Sequence, residues 1–189
     1  MGTPILTLIR LARTSQSLSE FATQVYVYGQ WPLLRPVASA YRTTVARKVR
    51  LVAVVGSLGK TSTSRMLAMA LNGSIPRGIH LNAYANVAKA LLRVRPWQQF
   101  AVIESGVSKP GAMRPYARML KPDIVVVTSI ASEHHRLFKT LQATREEKAQ
   151  MVRALPDSGL AVLNGDDPNA MWMRGQTSAR VVTYGFQEG

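Results

Sequence analysis

Leu51-Val52-Ala53-Val54-Val55-Gly56-Ser57-Leu58-Gly59-Lys60-Thr61-Ser62-Thr63 joins an apolar, β-rich run to a glycine turn, and a helix-forming run from Ser64 to Leu71 follows. The order is strand, phosphate loop, helix. Gly56 and Gly59 allow backbone conformations closed to residues with a Cβ, so that N–H groups can turn inward on an anion. The start of the helix adds unpaired N–H groups and the positive end of its dipole. Lys60 can reach a terminal phosphate, and Thr61 can offer its hydroxyl to Mg²⁺. The loop expected to hold a nucleotide is therefore Gly56, Ser57, Gly59, Lys60, Thr61 and Ser62. Val54 stands where the full G-x-x-x-x-G-K-[ST] pattern has its first glycine. The alternative is an ordinary tight turn before a basic helix N-terminus; the flanking strand and helix favour the phosphate loop.

Outward from this loop the chain alternates between two periods. Strands are predicted over 51–55, 100–103, 124–128, 160–163 and 180–184, and helices over 61–71, 83–93, 111–120 and 141–155. Strands that are apolar throughout are expected to be buried on both faces, as in a parallel sheet covered by helices. The expected fold is a doubly wound α/β domain with a mostly parallel sheet over residues 49–189. In such folds ligands bind beyond the carboxyl ends of the strands. The polar residues recur there: Gly56–Thr61 after the first strand, Glu104-Ser105-Gly106 after the second, and Thr128-Ser129 after the third. Glu133-His134-His135 come soon after, and Asn164-Gly165-Asp166-Asp167 follow the fourth strand. Four polar tips on one rim look like a site.

Composition sets the outer bounds. The chain of 189 residues can bury a core, and its length suggests one domain with an extension. The absence of cysteine excludes a disulfide framework, a thiolate metal site and a cysteine nucleophile. A net charge of +14 predicts attraction to anions: nucleotides, nucleic acid or an anionic membrane face. No run is long and apolar enough to span a bilayer. The apolar part of residues 1–11 is followed, not preceded, by Arg10 and Arg13 and makes a poor signal peptide, so the cytoplasm is the default expectation. Residues 1–48 differ from the rest. Ile5, Leu8, Ile9 and Leu11 suit one face of a short helix, Phe21 to Tyr28 is aromatic and β-branched, and Trp31-Pro32 with Arg35-Pro36 breaks that run. Arg42, Arg47, Lys48 and Arg50 crowd the entrance to the first strand. This basic, helical extension either lies on a membrane surface or docks on protein.

Taken by spacing alone, the candidate side chains differ in what they say. Glu104 follows four apolar residues, the pattern of a carboxylate presented to a nucleotide-bound metal. Thr61 and Glu104 would suffice for one Mg²⁺, which takes few protein ligands beside phosphate and water; the alternative for Glu104 is a surface acid at a strand end. His134 and His135 are adjacent, so at most one faces the site. Lys148, within Thr144-Arg-Glu-Glu-Lys-Ala-Gln, is on spacing a solvated helix residue with no acidic i,i+4 partner.

Jointly these segments resemble the central ATP-binding domain of the Mur ligase family, the ATP-dependent amide-forming ligases of peptidoglycan synthesis. The likeness covers about residues 50 to 189. Gly56-Ser-Leu-Gly-Lys-Thr-Ser62 is similar to the family's short loop, which also lacks the first glycine. Val102-Ile-Glu104-Ser-Gly106 resembles the strand carrying the metal-binding Glu. Lys121-Pro-Asp-Ile-Val-Val-Val-Thr-Ser-Ile130 with Glu133-His134 resembles the P-D-x-x-x-x-T-N-I…H-L segment and selects His134 over His135. The family's CO₂-carbamylated lysine then falls on Lys148, fourteen residues beyond His134, the interval of the D-Ala-D-Ala-adding, MurF-like branch. Leu163-Asn-Gly-Asp-Asp167 is similar to the N-x-D-D turn, which places Asn164 with the nucleotide. Ser129 replaces the usual Asn, His135 the usual Leu, and the Asn-rich stretch after the first helix is reduced to His80-Leu-Asn82-Ala-Tyr-Ala-Asn86.

The resemblance implies ATP and two Mg²⁺ ions as cofactors. Thr61, Glu104, His134 and carbamylated Lys148 would be metal-associated, and Lys60, Glu104, His134 and Lys148 catalytic. A carboxylate substrate such as a UDP-MurNAc-peptide and an amine such as D-Ala-D-Ala are the implied partners. The implied reaction passes through an acyl phosphate. The family's N-terminal sugar-nucleotide domain and its C-terminal domain have no counterpart in these residues, so a fragment or a shortened relative is expected, binding ATP weakly and ligating nothing by itself. Two rivals remain at this stage. One is another P-loop NTPase or phosphotransferase. The other is a basic nucleic-acid or membrane-surface module, which rests on the charge of +14 although the basic residues are dispersed and lack an aromatic stacking motif. The ligase reading expects no nucleic-acid partner.

Overall fold

The computed structural model describes residues 29–72, 84–107, 109–131 and 140–186. Five strands form one sheet: β1 (Arg50–Val55), β2 (Phe100–Glu104), β3 (Ile124–Val127), β4 (Leu160–Asn164) and β5 (Arg180–Tyr184). Their order is β2-β1-β3-β4-β5, and every pairing is parallel. The chain leaves β1 for β2 on one side and then crosses to β3 on the other. The carboxyl ends of β1 and β3 therefore flank the topological switch point, where such sheets open a crevice.

The helices are α1 (Trp31–Thr43), α2 (Lys60–Ala70), α3 (Ala85–Leu92), α4 (Met113–Leu120), α5 (Leu141–Val152) and the short α6 (Pro168–Met171), which runs into a 3₁₀ turn at Trp172–Gln176. Alternation along β1 divides the core in two. Leu51, Ala53 and Val55 face the larger cluster, shared with α1 and α3 to α6, while Val52 and Val54 face a smaller one with Ala68 and Leu67 of α2. Helices thus lie on both faces, as the doubly wound reading expects. Burial on both faces holds for β1 to β3 but not for the last two strands. In β4 and β5 exposure alternates or rises, because α2, the described helix on that side, packs over β1 and β2 and leaves Val162 and Val182 half-buried.

Several boundaries move for identifiable reasons. α4 begins at Met113 rather than 111 because Gly111 sits at φ +80°. There the Glu147 carboxylate, reaching across from α5, accepts the N–H of Gly111 at 2.8 Å and of Met113 at 2.7 Å. It caps α4 from another element. The pairing of β3 ends one residue short of Thr128, whose hydroxyl turns to Leu58 O at 2.6 Å.

Trp31-Pro32 and Arg35-Pro36 lie within α1. Pro32 occupies the first turn, where its missing N–H has no helical partner to lose. Pro36 forfeits one bond to the carbonyl of Pro32, and both prolines are exposed, so water can take that carbonyl. The described part of the expected extension is docked on the domain. Ala38, Ala46 and Val49 share the main core, and Trp31 packs edge-on against Tyr116 and Tyr84 at centroid distances of 5.2 and 6.0 Å. Arg42 fastens the far end of α1. Its buried guanidinium donates to Leu120 O, Ala46 O, Val49 O, Lys121 O and Asp123 Oδ2 at 2.8 to 3.3 Å. The segments 1–11 and 21–28 lie outside the described residues.

Candidate nucleotide site

The loop between β1 and α2 crosses the switch point. Gly56 has φ +149°, and a Cβ there would stand 1.9 Å from Thr128 Oγ1 and 3.1 Å from the backbone N and O of Ser129. Only glycine fits, since the β3 tip presses directly against the loop. Gly59 is left-handed at φ +80° and forms the N-cap of α2 without any side-chain cap. The N–H groups of the first turn have no intrahelical acceptor by geometry. They open onto the rim together with the positive end of the helix dipole.

The loop is clamped from the β3 side. Ser57 N–H donates to Ser129 O at 2.5 Å, and Leu58 N–H to Ser129 Oγ at 3.1 Å. Ser57, 2 % exposed, uses its hydroxyl fully. It donates to Ala131 O at 3.0 Å and accepts from Ala131 N–H at 2.9 Å and from Lys148 Nζ at 2.8 Å. Lys148 is itself buried at 2 % exposure. The spacing-based reading of Lys148 as a solvated helix residue is therefore corrected: the side of α5 carrying Thr144 and Lys148 turns inward beneath the loop.

Thr61 Oγ1 donates to Glu104 Oε2 at 2.8 Å. The two candidate oxygen ligands from α2 and β2 thus meet on one rim. Lys60 Nζ lies over the loop, donating to Ser57 O at 2.5 Å. Ser62 follows in the exposed first turn of α2. At the β4 tip, Asn164 Oδ1 accepts the N–H of Asp166 at 3.0 Å and shapes the turn. Asp167 caps α6 and also accepts the N–H of Ile130 at 2.5 Å, tying the β4 tip to the β3 tip. Tyr184 O–H donates to Val127 O at 3.2 Å. Burial first, then the carboxylates Asp167 and Asp166, raise its pKa above 10.0. His134, with Glu133 and Asn82, lies outside the described residues.

The sequence places Thr128-Ser129 on the rim but does not assign them the part of a clamp. That part depends on β3 lying beside β1. Nothing in the sequence signalled that Glu147 would cap α4.

A glycine loop at a parallel-sheet switch point, an open helix N-terminus, a lysine over the loop and a Thr–Glu oxygen pair are the parts from which phosphate-binding α/β domains of the nucleoside-triphosphate class are built. The chain belongs to the Mur ligase family: residues 54–189 match the family profile for the Mur ligase middle domain. It is 31 % identical over 131 residues to the UDP-N-acetylmuramoyl-tripeptide–D-alanyl-D-alanine ligase of Escherichia coli K12, covering 68 % of this chain and 28 % of that protein. The crystal structure of MurF from Acinetobacter baumannii superposes with a TM-score of 0.74 at 25 % identity, over 80 % of this chain and 34 % of that one. MurF ligase from Thermotoga maritima, solved in complex with ADP, has the same fold (TM-score 0.73, 22 % identity, 84 % of this chain and 37 % of that one). The chain spans well under half the length of each of these relatives.

Proposed function

We propose that this chain is the nucleotide-binding part of an ATP-dependent amide-forming ligase of the MurF type, acting in peptidoglycan precursor synthesis. The observation that carries the reading is the convergence at one loop. Lys60 lies over the phosphate turn, Thr61 meets Glu104 at 2.8 Å, and buried Lys148 bonds Ser57 from beneath at 2.8 Å. The relatives' names supply the reaction class.

In this reading the N–H groups of the loop and of the α2 N-terminus bind the phosphates of ATP, and Lys60 swings from the Ser57 carbonyl to the terminal phosphate. A substrate carboxylate oxygen attacks the γ-phosphorus, the bond to the β-phosphate oxygen breaks, and ADP leaves. The amine nitrogen of a D-Ala-D-Ala-like acceptor then attacks the acyl carbon, expels phosphate and loses a proton, giving the amide. The acid would be a UDP-MurNAc-peptide. The Thr61 hydroxyl and Glu104 carboxylate are the hard, adjacent oxygens that Mg²⁺ takes, and the ion would neutralise charge developing on the phosphates. Lys148 as an ammonium donates to Ser57 and offers a cation no lone pair. As a carbamate, formed when its neutral nitrogen adds to CO₂ and sheds a proton, it would present anionic oxygens beside Ser57 for a second Mg²⁺, with His134 as its expected companion. Asn164 is assigned to the nucleotide by the same reading.

ATP as substrate puts the protein in the cytoplasm. No described helix is long and apolar enough to cross a membrane, and residues 1–48 are proposed to make peripheral contact with the inner membrane face. The test is calorimetric titration of MgATP into this chain and its Lys60→Ala variant. Loss of measurable binding in the variant supports the reading, and unchanged affinity overturns it.

A further inference from the structure

The edge of the sheet opposite the nucleotide rim carries an unusual surface. There the chain enters each strand, and Arg47, Lys48 and Arg50 at β1, Arg95 before β2 and Lys121 before β3 are all exposed. Backbone bonds hold these entries together: Arg50 N–H donates to Gln99 O at 2.9 Å and Asp123 N–H to Leu51 O at 3.0 Å. The acids on the same segments are two. Asp123 already accepts from Arg42 and from Leu51 N–H, both at 2.8 Å, and Asp157 accepts from the Ser178 hydroxyl. Glu104, Asp166 and Asp167 sit at the opposite, carboxyl rim. Among the described residues, the strand-entry edge is therefore predominantly basic.

Two further features mark the basic edge as more than a solvated face. Trp97 is 76 % exposed there, with Arg95 5.7 Å from its ring centroid, and Val45 is 47 % exposed beside Arg47. A concavity of about 420 Å³ opens at the same edge, with Arg47, Lys121 and Pro122 among its lining residues.

We infer that this edge docks on an anionic lipid bilayer, with phosphate headgroups against Arg47, Lys48, Arg50 and Lys121 and Trp97 at the interfacial level. An exposed indole beside basic side chains suits the interfacial zone, and clustered Lys and Arg bind anionic leaflets electrostatically. Seated this way, the protein turns its nucleotide rim away from the lipid and towards the aqueous phase. The inference rests on the cytoplasmic, membrane-peripheral reading above and adds to it the face and the lipid class.

The test is co-sedimentation of the full chain with phosphatidylcholine vesicles, with and without phosphatidylglycerol, at low and physiological salt. Binding is expected only with phosphatidylglycerol and should weaken as salt rises. Each basic residue near the surface is worth about fivefold in partitioning, so Arg47→Gln/Lys48→Gln/Arg50→Gln should bind roughly 100-fold more weakly. Brominated lipid should quench emission in wild type and not in Trp97→Phe. Circular dichroism and MgATP affinity, unchanged in these variants, separate a failure of docking from a failure of folding or of the ligase reading. Equal binding to neutral vesicles overturns the inference, as does full binding by the triple variant. Tighter binding to duplex DNA than to anionic vesicles at the same salt also overturns it.

Discussion

Replacing Gly56 by alanine tests the central geometric claim, that the phosphate loop is held by direct pressure from the β3 tip. The added Cβ would lie 1.9 Å from Thr128 Oγ1 and 3.1 Å from the Ser129 backbone, at a φ of +149°. A side chain at such a φ costs about 1–3 kcal/mol, and overpacking about 1–3 kcal/mol more. Thr128 cannot simply rotate away, because its hydroxyl is committed to Leu58 O at 2.6 Å. The loop should therefore yield. A distortion of about 2 kcal/mol or more corresponds to at least about 30-fold weaker MgATP binding. Isothermal titration of wild type, Gly56→Ala, Thr128→Ala and the double variant reads this directly. Removing Oγ1 should recover the overlap with the side chain but neither the φ cost nor the Ser129 contact, giving a coupling of about 1–2 kcal/mol. Gly56→Ala binding MgATP within threefold of wild type would refute the reasoning. A double variant no better than Gly56→Ala would refute the Thr128 contact in particular.

Two other outcomes follow from side chains away from the loop. Arg42→Ala removes five donated bonds from a buried guanidinium and should cost about 3 kcal/mol, lowering the melting temperature by about 6–12 °C. Arg42→Lys should restore little, because an ammonium cannot reproduce the fork. Asp123→Asn should cost only about 1 kcal/mol, since that carboxylate is 41 % exposed and the variant can still accept from Leu51 N–H. For Tyr184, whose folded pKa is raised above 10.0 by burial and then by Asp167 and Asp166, the unfolded phenol loses its proton first. Its contribution to stability is full below pH 10 and falls as pH rises through the folded value. Denaturant titrations of wild type and Tyr184→Phe across that window should diverge in slope, and parallel curves would exclude the shift.

What the sequence determined by itself is local. Apolar runs closed by glycine and acid tips made strands and their carboxyl ends legible, and Gly56-Ser-Leu-Gly-Lys-Thr61 carried its phosphate chemistry in the order of its residues. What tertiary structure alone decided is which distant groups share space. Lys148 has a solvated residue's spacing and becomes buried because α5 packs under a loop 91 positions away. Ser129 clamps that loop because β3 lies beside β1 in the sheet, although β2 stands between them in the chain. Arg42 reads as one more charge in a basic stretch, yet the folded chain surrounds it with carbonyls from two segments and the carboxylate of Asp123. Propensity and turn chemistry act over a few residues and so can be read directly. Burial and long-range hydrogen bonding arise only once the sheet order is fixed, and no short stretch of sequence encodes that order.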